Sequence, residues 1–165
     1  MSRQESKIKE GARRFLEDGE EVLAALVARP RGWTQSSAGG GGVAGMVAGE
    51  LGARKQQRAH AGAQQAGFAL ASPMALALTQ RRLLSLAISS PLGLGIGGDV
   101  KELVGSAPLS EVDGIEVKRV ALGKVVTLTV RGVPIALEAN AAADAKGLVR
   151  AFERAKAGGA AAAVR

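Results

Sequence analysis

The 165-residue chain has no cysteine, no tyrosine and one histidine, and its aromatic residues are Phe15, Phe68, Phe152 and Trp33. Without cysteine there is no disulfide framework, no thiolate nucleophile and no Cys-based zinc site. His60 sits among Ala, Gln and Gly, where a His-based metal site has no carboxylates to complete it, so the expectation is no metal and no cofactor. There is no G-x-S-x-G elbow, and Ser72, Ser85, Ser89 and Ser106 have no base nearby in sequence. Acyl transfer then has no nucleophile, and the chain reads as non-enzymatic with no catalytic residues. So few aromatics leave almost no platform for stacking bases, and with no groove-reading helix no specific nucleic-acid binding is expected.

Long apolar runs are missing too. The weakly polar stretch Ala38 to Ala53 is 16 residues with seven glycines and Glu50, short of the roughly 20 mostly apolar residues a spanning helix needs. The N-terminus, MSRQESKIKEGARRF, is charged where a signal peptide requires an apolar segment. These features lead to the expectation of a cytoplasmic protein that is at most peripheral to a membrane.

What is abundant is alanine, glycine and positive charge. The net charge is +7, shared as +3 over residues 1–67 and +4 over 68–165, so no block of cations forms a tail. A solvated basic surface is the plain reading, and an anionic partner such as a lipid surface is compatible with it.

The chain is organised around Met74 to Ser89, MALALTQRRLLSLAIS. Met74, Leu76 and Leu78 alternate with Ala75, Ala77 and Thr79, and after a corner at Gln80 to Arg82, Leu84, Leu86 and Ile88 alternate with Ser85, Ala87 and Ser89. That pattern predicts a hairpin with one buried face. Upstream, Ile8, Ala12, Phe15 and Leu16 fall at helical spacing within Gln4 to Leu16, and Gly19 can end that helix. Val22 to Ala28 is an apolar run of strand length closed by Arg29-Pro30-Arg31-Gly32.

Thr34 to Gly67 is a Gly-rich insert with four consecutive glycines at 39–42. Within it Val43, Met46, Val47 and Leu51 lie on one helical face, Gly45 and Gly49 form a small-residue seam, and Arg54, Lys55 and Arg58 follow. Such a helix is marginal alone and is expected to be ordered by contact with its own domain or a second copy.

Downstream the strands are Val100 to Ala107, Ile115 to Leu122 with a phase slip at Val120, Val126 to Arg131, and Val133 to Leu137. Gly123-Lys124 reads as a type II′ turn, and Pro134 places the last strand near its start or on an edge. Asn140 is the expected N-cap of a helix in which Ala141, Ala145, Leu148, Phe152 and Ala155 form one stripe, ended by Gly158-Gly159. The sequence Gly93-Leu-Gly95-Ile-Gly97-Gly98 satisfies G-x-G-x-x-G, yet no helix or βαβ repeat follows it, so it reads as a loop.

The fold class is therefore α+β and β-rich. About seven mostly antiparallel strands form a sheet or barrel capped by a C-terminal helix, with a short N-terminal helix (1–19), a domain over 20–157 interrupted by the helical insert 34–67 between strands 1 and 2, and a flexible tail over 158–165. In LTQRRLLSL (Leu78 to Leu86), APLSEVDGIEV (Ala107 to Val117), VTLTVRGVPIALEA (Val126 to Ala139) and the helix from Asn140 to Lys156, the chain resembles the bacterial pleckstrin-homology-like domains and the related GRAM domains. The resemblance implies a binding or scaffolding module. Its partner is expected to be another protein or a second copy, through Val43, Met46, Val47 and Leu51. The alternative is peripheral attachment to anionic lipid through Arg54, Lys55 and Arg58, with Arg81 and Arg82 at the hairpin corner as a further candidate anion contact. Lys101, Lys118 and Arg119 are possible neighbours of that corner if the strands curl together.

Overall fold

In a computed structural model the protein is described over residues 3–33, 42–89, 98–121 and 123–163. The four-glycine run up to Gly41 and the Gly93 to Gly97 segment lie outside the described residues. Helix α1 (Arg3–Ala12) and a 3₁₀ turn (Arg13–Phe15) lead to β1 (Val22–Pro30). Helix α2 (Val43–Gln65) follows, then β2 (Met74–Thr79), β3 (Arg82–Ile88) and β4 (Val100–Pro108). A 3₁₀ turn (Leu109–Glu111) carries the chain to β5 (Val112–Val120), β6 (Gly123–Val130), β7 (Val133–Ala139) and α3 (Ala145–Ala163).

The seven strands form one antiparallel sheet in the order β4-β3-β2-β1-β7-β6-β5. The element order is the one the resemblance implies, but the sheet is open and β4 and β5 are its two edges; it is not a closed barrel.

The organising hairpin has two buried faces, where one was expected. Its turn is two residues long, so Leu78 pairs with Leu83, Ala77 with Leu84 and Ala75 with Leu86. Paired residues share a face, and a one-residue change in turn length moves a whole strand's side chains to the other side. Met74, Leu76, Leu78 and Leu83 therefore join the main core with α3 and the end of α2. Leu84, Leu86 and Ile88 join Ala75 and Ala77 under α1, against Ile8 and Ala12. Helix α1 ends at Ala12, earlier than the expected Leu16, and Gly19 occupies a left-handed turn (φ 75°) beyond the 3₁₀ segment.

Other local readings shift for similar reasons. The bulge in β5 lies between Val112 and Gly114, while Val120 pairs regularly with Gly123. Gly123 therefore opens β6 and is not a turn residue; a Cβ there would stand 2.6 Å from the Ala139 carbonyl oxygen. The β6–β7 turn uses Arg131 and Gly132, both at positive φ (51° and 76°), which matches the right-handed strand twist. Pro134 is the second residue of β7, near the strand's start as expected though the strand is interior, and its nitrogen points away from β6, beyond the last β1 pairing at Pro30–Leu137. A missing N–H there breaks no ladder bond. Asp144, in place of Asn140, caps α3: its Oδ1 accepts the Gly147 N–H at 2.8 Å, and Asn140 instead accepts the Ala142 N–H in the preceding turn. Helix α3 runs through Gly158-Gly159 to Ala163.

Candidate interaction site

Helix α2 docks through small residues. Gly52, Ala59 and Ala63 are buried on one side of it, with Ala66 just beyond its end. Small side chains let backbones meet: a Cβ on Gly32 would fall 2.2 Å from the Gly52 carbonyl oxygen, and one on Gly62 would fall 3.1 Å from that of Pro134. The partners are thus the turn after β1 and the start of β7, both in the helix's own domain.

The C-terminal end of α2 is tied off by hydrogen bonds to the Gly62, Ala63 and Gln64 carbonyls of the last turn. Gly67, at φ 66°, donates to Gln64 O at 3.0 Å, and Phe68 N donates to Ala63 O at 2.8 Å, the two bonds of a Schellman cap. Phe68 is fully buried in the main core with Ala63. Arg131, from the β6–β7 turn, donates to Ala66 O and pairs with Glu111, so this helix end is locked to two distant loops.

With Gly and Ala turned inward, the larger apolar residues point out. Val43 is 79% exposed and Met46 76%, with Val47 and Leu51 about half exposed. Arg54 and Arg58 continue the same outward stripe, at i+3 and i+7 from Leu51, and Arg54 pairs with Glu50 at 2.6 Å. Lys55 turns the other way and is half-buried, its Cβ beside Gly32. The six outward residues therefore form one strip, apolar over its first two turns and cationic over the next two.

The hairpin corner is organised differently. Glu20 lies beside Glu17, Asp18 and Glu21 in the sequence, yet its side chain is fully covered. Its Oε1 accepts Arg82 Nε at 2.9 Å and Thr79 Oγ1 at 2.7 Å; its Oε2 accepts Arg82 Nη2 at 2.8 Å and the Glu17 N–H at 2.9 Å. Arg82 also donates to Phe15 O. The Arg82 guanidinium, more than the other donors, holds the Glu20 carboxyl at about 2, against opposing burial, and Glu20 in turn raises Arg82. Arg82 is therefore engaged inside the protein, clasping the segment before β1 to the β2–β3 turn, whereas Arg81 is about half exposed with Glu17 at 3.6 Å. The other expected cations do not gather here: Lys101 lies at the far end of β4, and Lys118 and Arg119 are on β5 at the opposite edge. The clasp escaped sequence reading because Glu20 and Arg82 are 62 positions apart; the available signal was Thr79, whose hydroxyl accepts the Arg81 and Arg82 N–H groups across the turn.

Among the described residues no group of three or more His, Asp or Glu side chains could hold a metal, and no helix is long and apolar enough to cross a membrane. No protein-family model matches the chain. No curated protein matches it either. Among solved structures, it is similar to a DUF1696 family protein with a pleckstrin-homology domain from Shewanella loihica PV-4, at 12% identity and a TM-score of 0.45, over 88% of this chain and 86% of that one.

Proposed function

We propose that this chain is a non-catalytic binding module that acts by self-association through the outward face of α2. The observation that carries the reading is the exposure of Val43, Met46, Val47 and Leu51 on a helix already docked by its opposite side. An exposed cluster of this kind marks an interaction surface more often than a scattered apolar residue does. Val43 and Leu51 lie one turn either side of Val47, so a two-fold axis at Val47 sets the patch against itself, as an isologous dimer requires.

The test is light scattering on the parent and on Met46→Glu/Val47→Glu. Both positions are exposed, so the fold is expected to survive within about 0.5 kcal/mol per site. A parent dimer that becomes a monomer in the variant supports the proposal; a parent that stays monomeric at high micromolar concentration overturns it. A second reading, attachment to anionic lipid, is favoured by the position of Arg54 and Arg58 on the same strip. Sedimentation with phosphatidylserine vesicles, lost in Arg54→Glu/Arg58→Glu, distinguishes it.

A further inference from the structure

We infer that the outward face of α3 binds the phosphate backbone of a nucleic-acid duplex, through charge and without reading its sequence. Lys146, Arg150 and Arg154 are exposed and follow one another at i, i+4 and i+8 along α3. At about 1.5 Å rise per residue they form a row about 12 Å long. Like charges at this spacing oppose the helix that carries them, and the protein does not relieve them: none of the three has an ion pair or hydrogen bond with the described residues. Glu153, exposed and three positions on from Arg150, pairs with neither arginine. By contrast Lys7 pairs with Asp99, Arg54 with Glu50 and Arg131 with Glu111.

Strand β5 lengthens the row. Lys118 lines the same groove as Lys146 and Arg150. Arg119 pairs across the ladder with Lys124, whose Nζ donates to the Ala143 carbonyl just before α3 at 2.6 Å, so Arg119 stands on the α3 side of the sheet. Both are exposed and form no ion pair with the described residues. The acids lining this face are Glu116 and Glu153.

The character of the face selects the polyanion. Its exposed residues between and beside the cations are Glu153 and Ala157, with no large apolar side chain, because the apolar side of α3, Leu148 and Phe152, is in the core. A helix that lies in a lipid interface needs an apolar side to insert, so a membrane is the poorer fit. Single strands are gripped by stacking their bases on aromatic rings, and this face has none to offer: Phe68 and Phe152 are buried, Phe15 packs on the α1 side of the sheet and Trp33 lies under Arg29 beyond β1. A duplex keeps its bases stacked within itself and presents about one negative charge per 1.7 Å of axis. A single file of cations meets that charge without entering a groove, which is contact that positions and does not specify.

Fluorescence anisotropy of a labelled duplex of about 20 base pairs, titrated with the full chain between about 50 and 200 mM KCl, tests this. Each phosphate contact adds about −0.9 to the slope of log K against log[salt], so three contacts lower affinity about 40-fold over that range and five about 500-fold. Arg150→Gln/Arg154→Gln keeps good helix formers at exposed sites. It is expected to flatten the slope by about 1.8 and to weaken binding at least tenfold at about 50 mM salt, whereas Arg54→Gln/Arg58→Gln on α2 is expected to change neither. A duplex of permuted sequence is expected to bind within about twofold. Absence of binding at about 50 mM salt, a parent slope shallower than about −1.8, or a loss confined to the α2 variant overturns the inference. Phosphatidylserine vesicles or polyglutamate bound more tightly than the duplex at equal charge identify a lipid surface or an acidic protein as the occupant, and overturn it too.

Discussion

Glu20 grips Arg82 through both carboxylate oxygens, at 2.9 and 2.8 Å, and the two side chains join the segment before β1 to the turn between β2 and β3. The pair sits where α1 and its following turn must be held against the sheet face formed by Ala75, Ala77, Leu84 and Leu86. Removing one partner of a buried ion pair leaves a charge without compensation, which typically costs about 3–5 kcal/mol. Arg82→Ala is expected to lose that much in urea unfolding, and Arg81→Ala, at an exposed neighbour, within about 0.5 kcal/mol. Similar midpoints for the two variants would show that the clasp contributes nothing.

The same pair sets the acid limb of stability. The folded Glu20 carboxyl is depressed to about 2 from an ordinary value of 4.5, so the folded state binds fewer protons between these values. Stability from this group is full above pH 4.5 and is lost as pH falls toward 2. Its size is about 3 kcal/mol at neutral pH. Glu20→Gln is expected to be less stable at pH 7 and to show a flatter decline between pH 4.5 and 2; parallel declines in the two proteins would rule Glu20 out as the source.

Two glycines of the α2 region are expected to respond in opposite directions to alanine. Gly32 has φ 99° and its Cβ would meet the Gly52 carbonyl oxygen at 2.2 Å, whereas Gly49 is inside the helix with nothing within 4 Å. Gly32→Ala is expected to destabilise by about 1–3 kcal/mol or more. Gly49→Ala is expected to stabilise by about 0.5–1 kcal/mol, since a helical glycine is the more costly residue in open space. Thermal midpoints moving the same way in both variants would contradict the docked position of α2.

Phe152 is buried at 5% exposure with Leu148, Ala145 and Ala151, and joins α3 to the main core. Phe152→Ala is expected to cost about 3–5 kcal/mol, a large share of the about 5–15 kcal/mol by which folded domains are stable. A midpoint shift of only one or two degrees in calorimetry would mean that α3 is not held by this contact.

Strand identity was legible in the chain because the period-2 alternation of Val126, Leu128 and Val130, and the apolar run from Val22, are properties of neighbouring residues. The terminal helices were legible for the same reason, and so was the α2 stripe of Val43, Met46, Val47 and Leu51. Turn length was not: one residue more or fewer at Gln80-Arg81 decides whether Leu84 and Leu86 face α1 or α3, and only the pairing of two strands across the turn settles it.

For α2 the sequence alone marked the apolar residues and left open whether its own domain or a second copy orders the helix. The tertiary structure placed it on its own domain, because β7 and the turn at Gly32 come so close that only Gly52, Gly62 and the alanines fit between, and the bulkier side chains are left outside. Glu20 illustrates the same division. Its charge was evident from its position beside Glu17, Asp18 and Glu21, but its burial depended on Arg82 and Thr79 arriving from a different hairpin, and a desolvated carboxylate is stable only where such distant partners converge.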